Sequence, residues 1–215
     1  MNSVISLKKY VYKYISQKIQ DGTLAPNQKI NEQQICDELQ VSRTPVREAL
    51  IQLSCEGLLV NEPRKGFRVK PMTLEDAKNI YIIIGTLDAL AASLATNNMS
   101  KEDLDKMDKL VEDMEDAINN NQYSDYYRLQ LEFHNTYLDK CNNNELIDML
   151  NLLKMRFLRQ DYSPESDENL FETLREANSH HRTIIELFKD KKSKELEQFL
   201  KEIHWDIEYA ALDVF

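Results

Sequence analysis

Three histidines in the second half of the sequence lie where a helical protein can bring their rings together. His134, His181 and His204 each fall on an apolar stripe at helical spacing, in three separate segments of the 215-residue chain. A single inward histidine is usually only a hydrogen-bonded core residue, but three converging neutral imidazoles are suitable ligands for Zn²⁺ or Ni²⁺. The pattern therefore predicts a divalent metal site in the core of a bundle. We expect His180, one position off its stripe, to be exposed.

A second chemically distinctive segment is a predicted helix that begins after Ser42 and runs to about residue 55. Its apolar positions form one buried stripe, which turns Arg43, Thr44 and Arg47 outward. Arg43 and Arg47 are four residues apart, so both guanidinium groups leave the same face. Arginines on such a helix can pair with guanine in the major groove, and threonine can hold phosphate. Two arginines beside Glu48 are equally compatible with a solvated helix face.

The flanking elements favour the DNA-binding interpretation. Predicted helices over 5–20 and from Asn31 to about residue 39 precede the arginine helix, and two short helices joined by a tight turn form a helix-turn-helix. Strands over 58–60 and 67–70 enclose a turn and predict a wing. There Arg64, Lys65 and Arg68 are expected to add contacts to the DNA backbone.

The charge of the chain is divided unevenly between its two ends. Residues 1–72 contain 11 Lys and Arg against 7 Asp and Glu, a net +4, whereas residues 73–215 contain 16 against 30, a net −14. A basic first third can neutralise phosphates while an acidic remainder stays off the duplex. The asymmetry supports DNA binding at the N-terminal end only.

The rest of the chain predicts helices and no strands. We expect helices over 73–97, 100–120, 122–141, 145–162, 166–190 and 192–213. The fold class is therefore mainly α: a winged helix-turn-helix with a two-stranded wing over 1–71, then an all-α bundle of about six helices over 72–215. The first twenty residues do not resemble a signal peptide, and the longest apolar run, 80–84, is too short to span a bilayer. Three isolated cysteines fit a reducing compartment, so a cytoplasmic protein without membrane partners is expected.

The arginine helix and wing closely resemble the signature of the GntR family of bacterial regulators. The residues concerned are Ser42-Arg43-Thr44-Pro45-Val46-Arg47-Glu48-Ala49-Leu50, then Glu56-Gly57-Leu58-Leu59 and Gly66-Phe67-Arg68-Val69, within a match over 5–70. The resemblance implies operator contacts from the positions of Arg43, Thr44, Arg47 and Gly66. An arginine is common in the family where this chain has Gln33, so base contacts are less secure there. The full predicted DNA-binding set is Gln33, Ser42, Arg43, Thr44, Arg47, Arg64, Lys65 and Gly66.

The second half resembles the FCD ligand-binding domain of the FadR subfamily over 73–212, through Phe133-His134, His181-Arg182-Thr183-Ile184 and Ile203-His204. The resemblance implies that three histidines, with an aspartate four residues before the first, hold a divalent cation open to a carboxylate effector. This chain has Gln130 at the aspartate position, and glutamine offers only a neutral oxygen. Either the histidines still hold Zn²⁺ or Ni²⁺, or the pocket has lost its metal and recognises a ligand with histidines alone. Three neutral imidazoles leave the charge of the ion uncompensated and so attractive to an anion, which favours the metal-bound alternative.

A further departure is Ile84, where relatives often have an effector-binding arginine. Arg156 or Arg159 is a candidate replacement, although either also fits a solvated position. Pocket candidates that also suit an ordinary core are Tyr81, Tyr126 and Tyr127.

These features predict a homodimeric transcriptional regulator, not an enzyme. It is expected to bind a palindromic double-stranded operator and a small organic acid, its dimerisation being implied by the family resemblance. Two alternatives stay open: a constitutive DNA-binding dimer without an effector, and a histidine-metal hydrolase.

Overall fold

The computed structural model describes residues 6–157 and 170–213, and the chain forms two compact units, Met1–Met72 and Thr73–Phe215. The first unit contains α1 (Leu7–Gln20), α2 (Glu32–Leu39), α3 (Arg43–Cys55), β1 (Leu59–Glu62) and β2 (Gly66–Val69). The second contains α4 (Leu74–Ala95), α5 (Lys101–Asn119), α6 (Tyr123–Leu138), α7 (Asn144–Lys154), α8 (Leu170–Lys189) and α9 (Ser193–Phe199). The prediction of a mainly α protein with a winged helix-turn-helix followed by a helical domain is confirmed.

The helix-turn-helix forms because its polar residues cap helices and its apolar residues share one face. The Asn31 side chain accepts from the amide of Gln34 at the start of α2, and Gln40 ends that helix in the left-handed conformation. On α3 the predicted stripe is fully buried, each side chain having an exposed fraction of 0%: Val46, Ala49, Leu50 and Leu53. Burial of that stripe fixes which face of α3 meets solvent.

The wing is larger than the sequence predicts. Strands β1 and β2 pair antiparallel from Leu59 opposite Val69 to Glu62 opposite Gly66. Lys29 adds an antiparallel bridge to Arg68, supported by the Ile30 amide, which donates to the Phe67 carbonyl at 2.9 Å. No helix or strand was predicted for the segment 27–30, because a single bridge leaves no periodic pattern in the sequence. This third segment fastens the wing to the chain that leads into α2.

In the second unit, capping boxes start the first two helices. Thr73 and Asp76 cap α4 reciprocally, and Ser100 and Asp103 do the same for α5. By length and composition α4 is apolar enough to cross a membrane, but half of its most apolar window is buried inside the fold, which is ordinary for a core helix.

The last predicted helix, 192–213, is not continuous, and this expectation was wrong. After α9 comes a π-helical turn, Leu200–His204, closed by the Trp205 amide donating to the Leu200 carbonyl, and then a 3₁₀ helix, Ile207–Asp213. The consecutive residues His204 and Trp205, at the end of this turn, are both buried. Ile207, three residues after His204, is 40% exposed.

Gly85 on α4 makes room for this irregular segment. A Cβ added at Gly85 lies 2.8 Å from the Cβ of Trp205, an atom that cannot swing away. We expect Gly85→Ala to destabilise the protein by about 1–3 kcal/mol, because the tryptophan or the helix has to shift. Urea unfolding measures the loss. Thr86→Ala, at the exposed neighbouring position, is the control and should leave stability unchanged or slightly higher; equal stability of both variants would contradict the packing described.

Candidate functional site

A basic groove lies between the helix-turn-helix and the wing of the first unit. It encloses about 830 Å³, and its lining contains five basic side chains and two acidic ones: Lys29, Arg43, Arg47, Arg64, Lys65, Glu32 and Glu62. Six of the eight predicted DNA-binding residues line it, and the other two, Ser42 and Thr44, are exposed at the start of α3. Sequence reasoning missed Lys29, which belongs to the unpredicted bridging segment.

Hydrogen bonds hold both arginines of α3 in place. Arg43 Nη2 donates to Gln33 Oε1 at 2.8 Å, and Arg47 Nε donates to Glu32 Oε2 at 3.1 Å. The side chain of Arg47 is nevertheless 66% exposed. Gln33, expected to be a weaker reader of bases than the family's arginine, therefore braces Arg43 from α2. At the wing, Gly66 has φ +89°, a value that a side chain would strain.

In the second unit, the structure brings the three predicted histidines together. His134, His181 and His204 come from α6, α8 and the π-helical turn, and their exposed fractions are 2%, 0% and 6%. One ligand nitrogen from each lies within 4.8 Å of the others. His134 Nε2 and His204 Nε2 are 3.2 Å apart, close to the spacing of about 3.3 Å expected for two nitrogens on one tetrahedral ion with bonds of 2.0–2.1 Å. We refer to these three residues as the histidine cluster.

The hydrogen bonds around His134 assign its tautomer. The Tyr137 hydroxyl donates to Asp88 Oδ2, so the Tyr137 oxygen can accept, and it lies 2.6 Å from His134 Nδ1. Asp88 Oδ2 itself is 3.2 Å from the same nitrogen. The network places the proton on Nδ1 and leaves the lone pair on Nε2, facing His204.

The other two rings have buried nitrogens without hydrogen-bond partners. His181 Nδ1 lies 3.1 Å from Asn178 Oδ1 and donates to it, which leaves Nε2 as an acceptor. That Nε2 and His204 Nδ1 are buried without a partner. Unpaired buried polar atoms are costly. An ion in the cluster would explain the lone pair on His181 Nε2 but not His204 Nδ1, because His204 faces His134 with its Nε2.

Asp88, beneath the cluster, was missed by the sequence reasoning. It is fully buried on α4, and three donors converge on its Oδ2, the third being Trp205 Nε1 at 2.9 Å. Lys154 Nζ lies 3.2 Å from Oδ1. A signal was present in the sequence, because Asp88 is the one charged residue between Lys78 and Lys101.

Burial sets the protonation of these groups. It is the largest cause lowering the pKa of His181 and His204 well below the usual range, and the neighbouring imidazoles lower both further. For Asp88, burial alone raises the pKa, but Lys154 and His134 overcome it and hold the pKa well below its usual value. The cluster is therefore neutral beside an ionised carboxylate at neutral pH, which is the state in which imidazoles bind metals.

The other predicted residues of this unit are only partly gathered. Gln130, Tyr81 and Tyr127 line a cavity of about 30 Å³ next to His204, together with Tyr126 and Trp205. Arg156, in the 3₁₀ turn Met155–Phe157, is not among the described residues that line it. Arg159, the other predicted candidate, lies outside the described residues.

The expected exposure of His180 was wrong. The residue is half-buried and packs edge-on against Phe199 and Tyr209, because the irregular C-terminal segment covers that side of α8.

Two models of known protein families match the chain. The model for bacterial regulatory proteins of the gntR family matches residues 7–69, and the FCD domain model matches residues 79–204. The chain is 34% identical over 188 residues, 86% of its length and 81% of the relative, to the Bacillus subtilis (strain 168) protein named uncharacterized HTH-type transcriptional regulator YdhC. It is 27% identical over 179 residues, 81% of its length and 80% of the relative, to the Nta operon transcriptional regulator of Aminobacter aminovorans.

Solved structures share the fold. Escherichia coli McbR/YncC superposes with a TM-score of 0.78 at 23% identity, over 97% of both chains. Lar, which controls the Listeria monocytogenes agr system, superposes with a TM-score of 0.60 at 19% identity over the full length of both chains.

A winged helix with a basic groove, followed by a helical unit with a buried histidine cluster, is the arrangement of a DNA-binding transcriptional regulator. The chain belongs to the GntR family and contains an FCD domain, which places it in the FadR-like subfamily. Both resemblances found in the sequence are confirmed.

Proposed function

We propose that this regulator is a homodimer that binds a palindromic operator through the basic groove and changes its DNA affinity when a small organic acid binds at a divalent cation held by His134, His181 and His204. The observation that supports sensing most strongly is the histidine cluster itself. A bundle that served only to dimerise would gain nothing from three buried imidazoles, two of which have a nitrogen without a hydrogen-bond partner. The protein is proposed to act in the cytoplasm.

The groove supports the DNA-binding part of the proposal. Arg43 and Arg47 lie side by side on the exposed face of α3, and Arg64 and Lys65 face them from the wing. In this arrangement α3 enters the major groove with its arginines at base edges, while the wing and Ser42 and Thr44 contact the backbone. The net charge of −14 on residues 73–215 restricts the duplex to this end of the chain.

The donor set of the cluster fits Zn²⁺ or Ni²⁺. Imidazole suits both ions, and His134 Nε2 and His181 Nε2 are both oriented as acceptors by hydrogen bonds at Nδ1. Three neutral ligands leave an uncompensated positive charge and an open position, which suits a carboxylate. Gln130 adds at most a neutral oxygen, so the charge of the effector replaces the missing aspartate.

The cavity beside His204 explains how such a ligand can act on the fold. At about 30 Å³ it holds roughly one water molecule. A larger acid must displace its walls, among them Tyr81, Tyr127 and the C-terminal Trp205. We propose that this displacement, with Arg156 or Arg159 as candidate partners for the acid, favours one conformation of the dimer over another.

The exposed face of α4 supports a second copy of the chain as the partner. Ile82, Ile83, Leu90 and Leu94 follow each other along one side of the helix and are 42–57% exposed. Every exposed position from 79 to 98 is uncharged, in a chain that is 30% charged. An acidic domain can approach its own copy without repulsion only through such a face, which a two-fold axis pairs with itself.

Replacing Arg47 by alanine should weaken operator binding by about 10- to 100-fold, because a guanidinium that reads a base edge contributes about 1–3 kcal/mol. Circular dichroism should be unchanged, since the side chain is exposed. The measurement is fluorescence anisotropy on an operator selected from random DNA. Arg182→Ala is the matched control, an arginine of the second unit with 60% exposure. Equal affinity of both variants would remove Arg47 from the interface.

Replacing His181 by alanine should abolish stoichiometric zinc binding and the response of operator affinity to carboxylic acids, because two imidazoles cannot complete the site. Metal content after equilibrium dialysis against Zn²⁺ is the measurement. His180→Ala, its half-buried neighbour outside the cluster, should bind zinc like the unmodified protein. Unchanged zinc content in His181→Ala would contradict the metal assignment. A constitutive DNA-binding dimer would then remain as the alternative.

Replacing Leu90 by lysine should convert the dimer to a monomer and lower operator affinity, because two lysines would meet in an apolar contact and the second half-site would be lost. Light scattering after size exclusion gives the mass. Met149→Lys introduces the same charge at an apolar α7 position with 56% exposure and should remain dimeric. A dimeric Leu90→Lys would show that the copies meet elsewhere.

A further inference from the structure

Asp88 and Lys154 form a buried ion pair directly behind the histidine cluster. Their charged atoms lie 3.2 Å apart, and the side chains are 0% and 9% exposed. Buried pairs of this kind add little to stability compared with well-packed apolar residues. Their position suggests a second role, because Asp88 also contacts the ring of His134.

We propose that this ion pair sets the cation affinity of the histidine cluster and that its two members act in opposite directions. The proposal rests on the cation site proposed above. Asp88 strengthens binding by orienting His134 and placing a negative charge one imidazole away. Lys154 weakens binding by placing a positive charge on the far side of the same carboxylate. Both are positioning residues, since they act through His134 and lie outside the set of three ligands.

The geometry at Asp88 supports its part. Oδ2 lies 3.2 Å from His134 Nδ1 and accepts from Tyr137, whose oxygen lies 2.6 Å from the same nitrogen. A carboxylate on the far nitrogen of a ligating histidine fixes the ring and makes the ligating nitrogen more basic. With glutamine at position 130, Asp88 is the carboxylate that contacts the cluster within residues 6–157 and 170–213.

The position of Lys154 supports the opposing part. Its ammonium is bound to Asp88 Oδ1 and lies 5.6 Å from the ring centre of Trp205, the residue after His204. A positive charge held on the far side of Asp88 repels a divalent cation at His134, and the low dielectric of the core strengthens this effect.

The direct test is competition for Zn²⁺ between the full-length protein and a chromophoric chelator. Asp88→Asn should bind zinc about 10- to 100-fold more weakly, and Lys154→Met should bind it several-fold more tightly. The matched controls are Asp103→Asn and Lys140→Met, which remove the same charges from a more exposed pair of the same unit and should not change the affinity. Unchanged affinity in both Asp88→Asn and Lys154→Met, or changes of the same sign, would overturn the proposal.

A second measurement separates orientation from general damage. In metal-free protein with ¹⁵N-labelled histidine, His134 should carry its proton on Nδ1, and Asp88→Asn should shift that proton toward Nε2. Emission from Trp205, the one tryptophan in the chain, reports whether each variant keeps its core. If Asp88→Asn does not fold, the double variant Asp88→Asn, Lys154→Met leaves no charge unpaired. It should bind zinc more weakly than Lys154→Met alone, and equal affinity would contradict the role of Asp88.

The outcomes also distinguish this inference from the function on which it rests. If the unmodified protein binds no zinc, both the proposed cation site and the proposed role of the Asp88–Lys154 pair are wrong. If it binds zinc and Asp88→Asn binds equally well with the His134 proton still on Nδ1, the cation site stands and the role of Asp88 is wrong.

Discussion

An ionised carboxylate in the core of the second unit is the constraint on which the rest of that unit depends. Burying Asp88 without partners would cost several kcal/mol. Its partners come from three other elements: His134 and Tyr137 on α6, Lys154 on α7, and Trp205 after the π-helical turn. Satisfying one residue therefore ties α4, α6, α7 and the C-terminal segment together. The same contacts orient His134 and bring His204 beside it.

This constraint involves the irregular C-terminal segment. His204 and Trp205, at the end of the π-helical turn, contact His134 and Asp88 respectively. Both are buried, and Gly85 supplies the space that the indole needs. The chain departs from regular helical geometry here, and the Asp88 carboxylate has hydrogen-bond partners. Such departures are common at functional sites.

Features that repeat at helical spacing or resemble a family motif could be predicted from the sequence. The buried stripe of α3, the two capping boxes and the three inward histidines are of this kind. Features created by contacts between distant segments could not be predicted: the bridge of Lys29 to the wing, the partners of Asp88, and the half-burial of His180. Asp88 shows what a sequence can and cannot reveal. Its position as a lone charge in an apolar helix marks it as unusual, but its partners could not be identified because they lie 46 to 117 residues away.

The two units divide the physical work of a regulator. The first presents arginines braced by Gln33 and Glu32 along a basic groove, and the second holds neutral imidazoles in a buried core. X-ray absorption at the zinc edge of the zinc-loaded protein tests the central claim most directly. Three imidazole nitrogens and one oxygen ligand are expected, each at about 2.0–2.2 Å. A zinc shell without three imidazoles would contradict it.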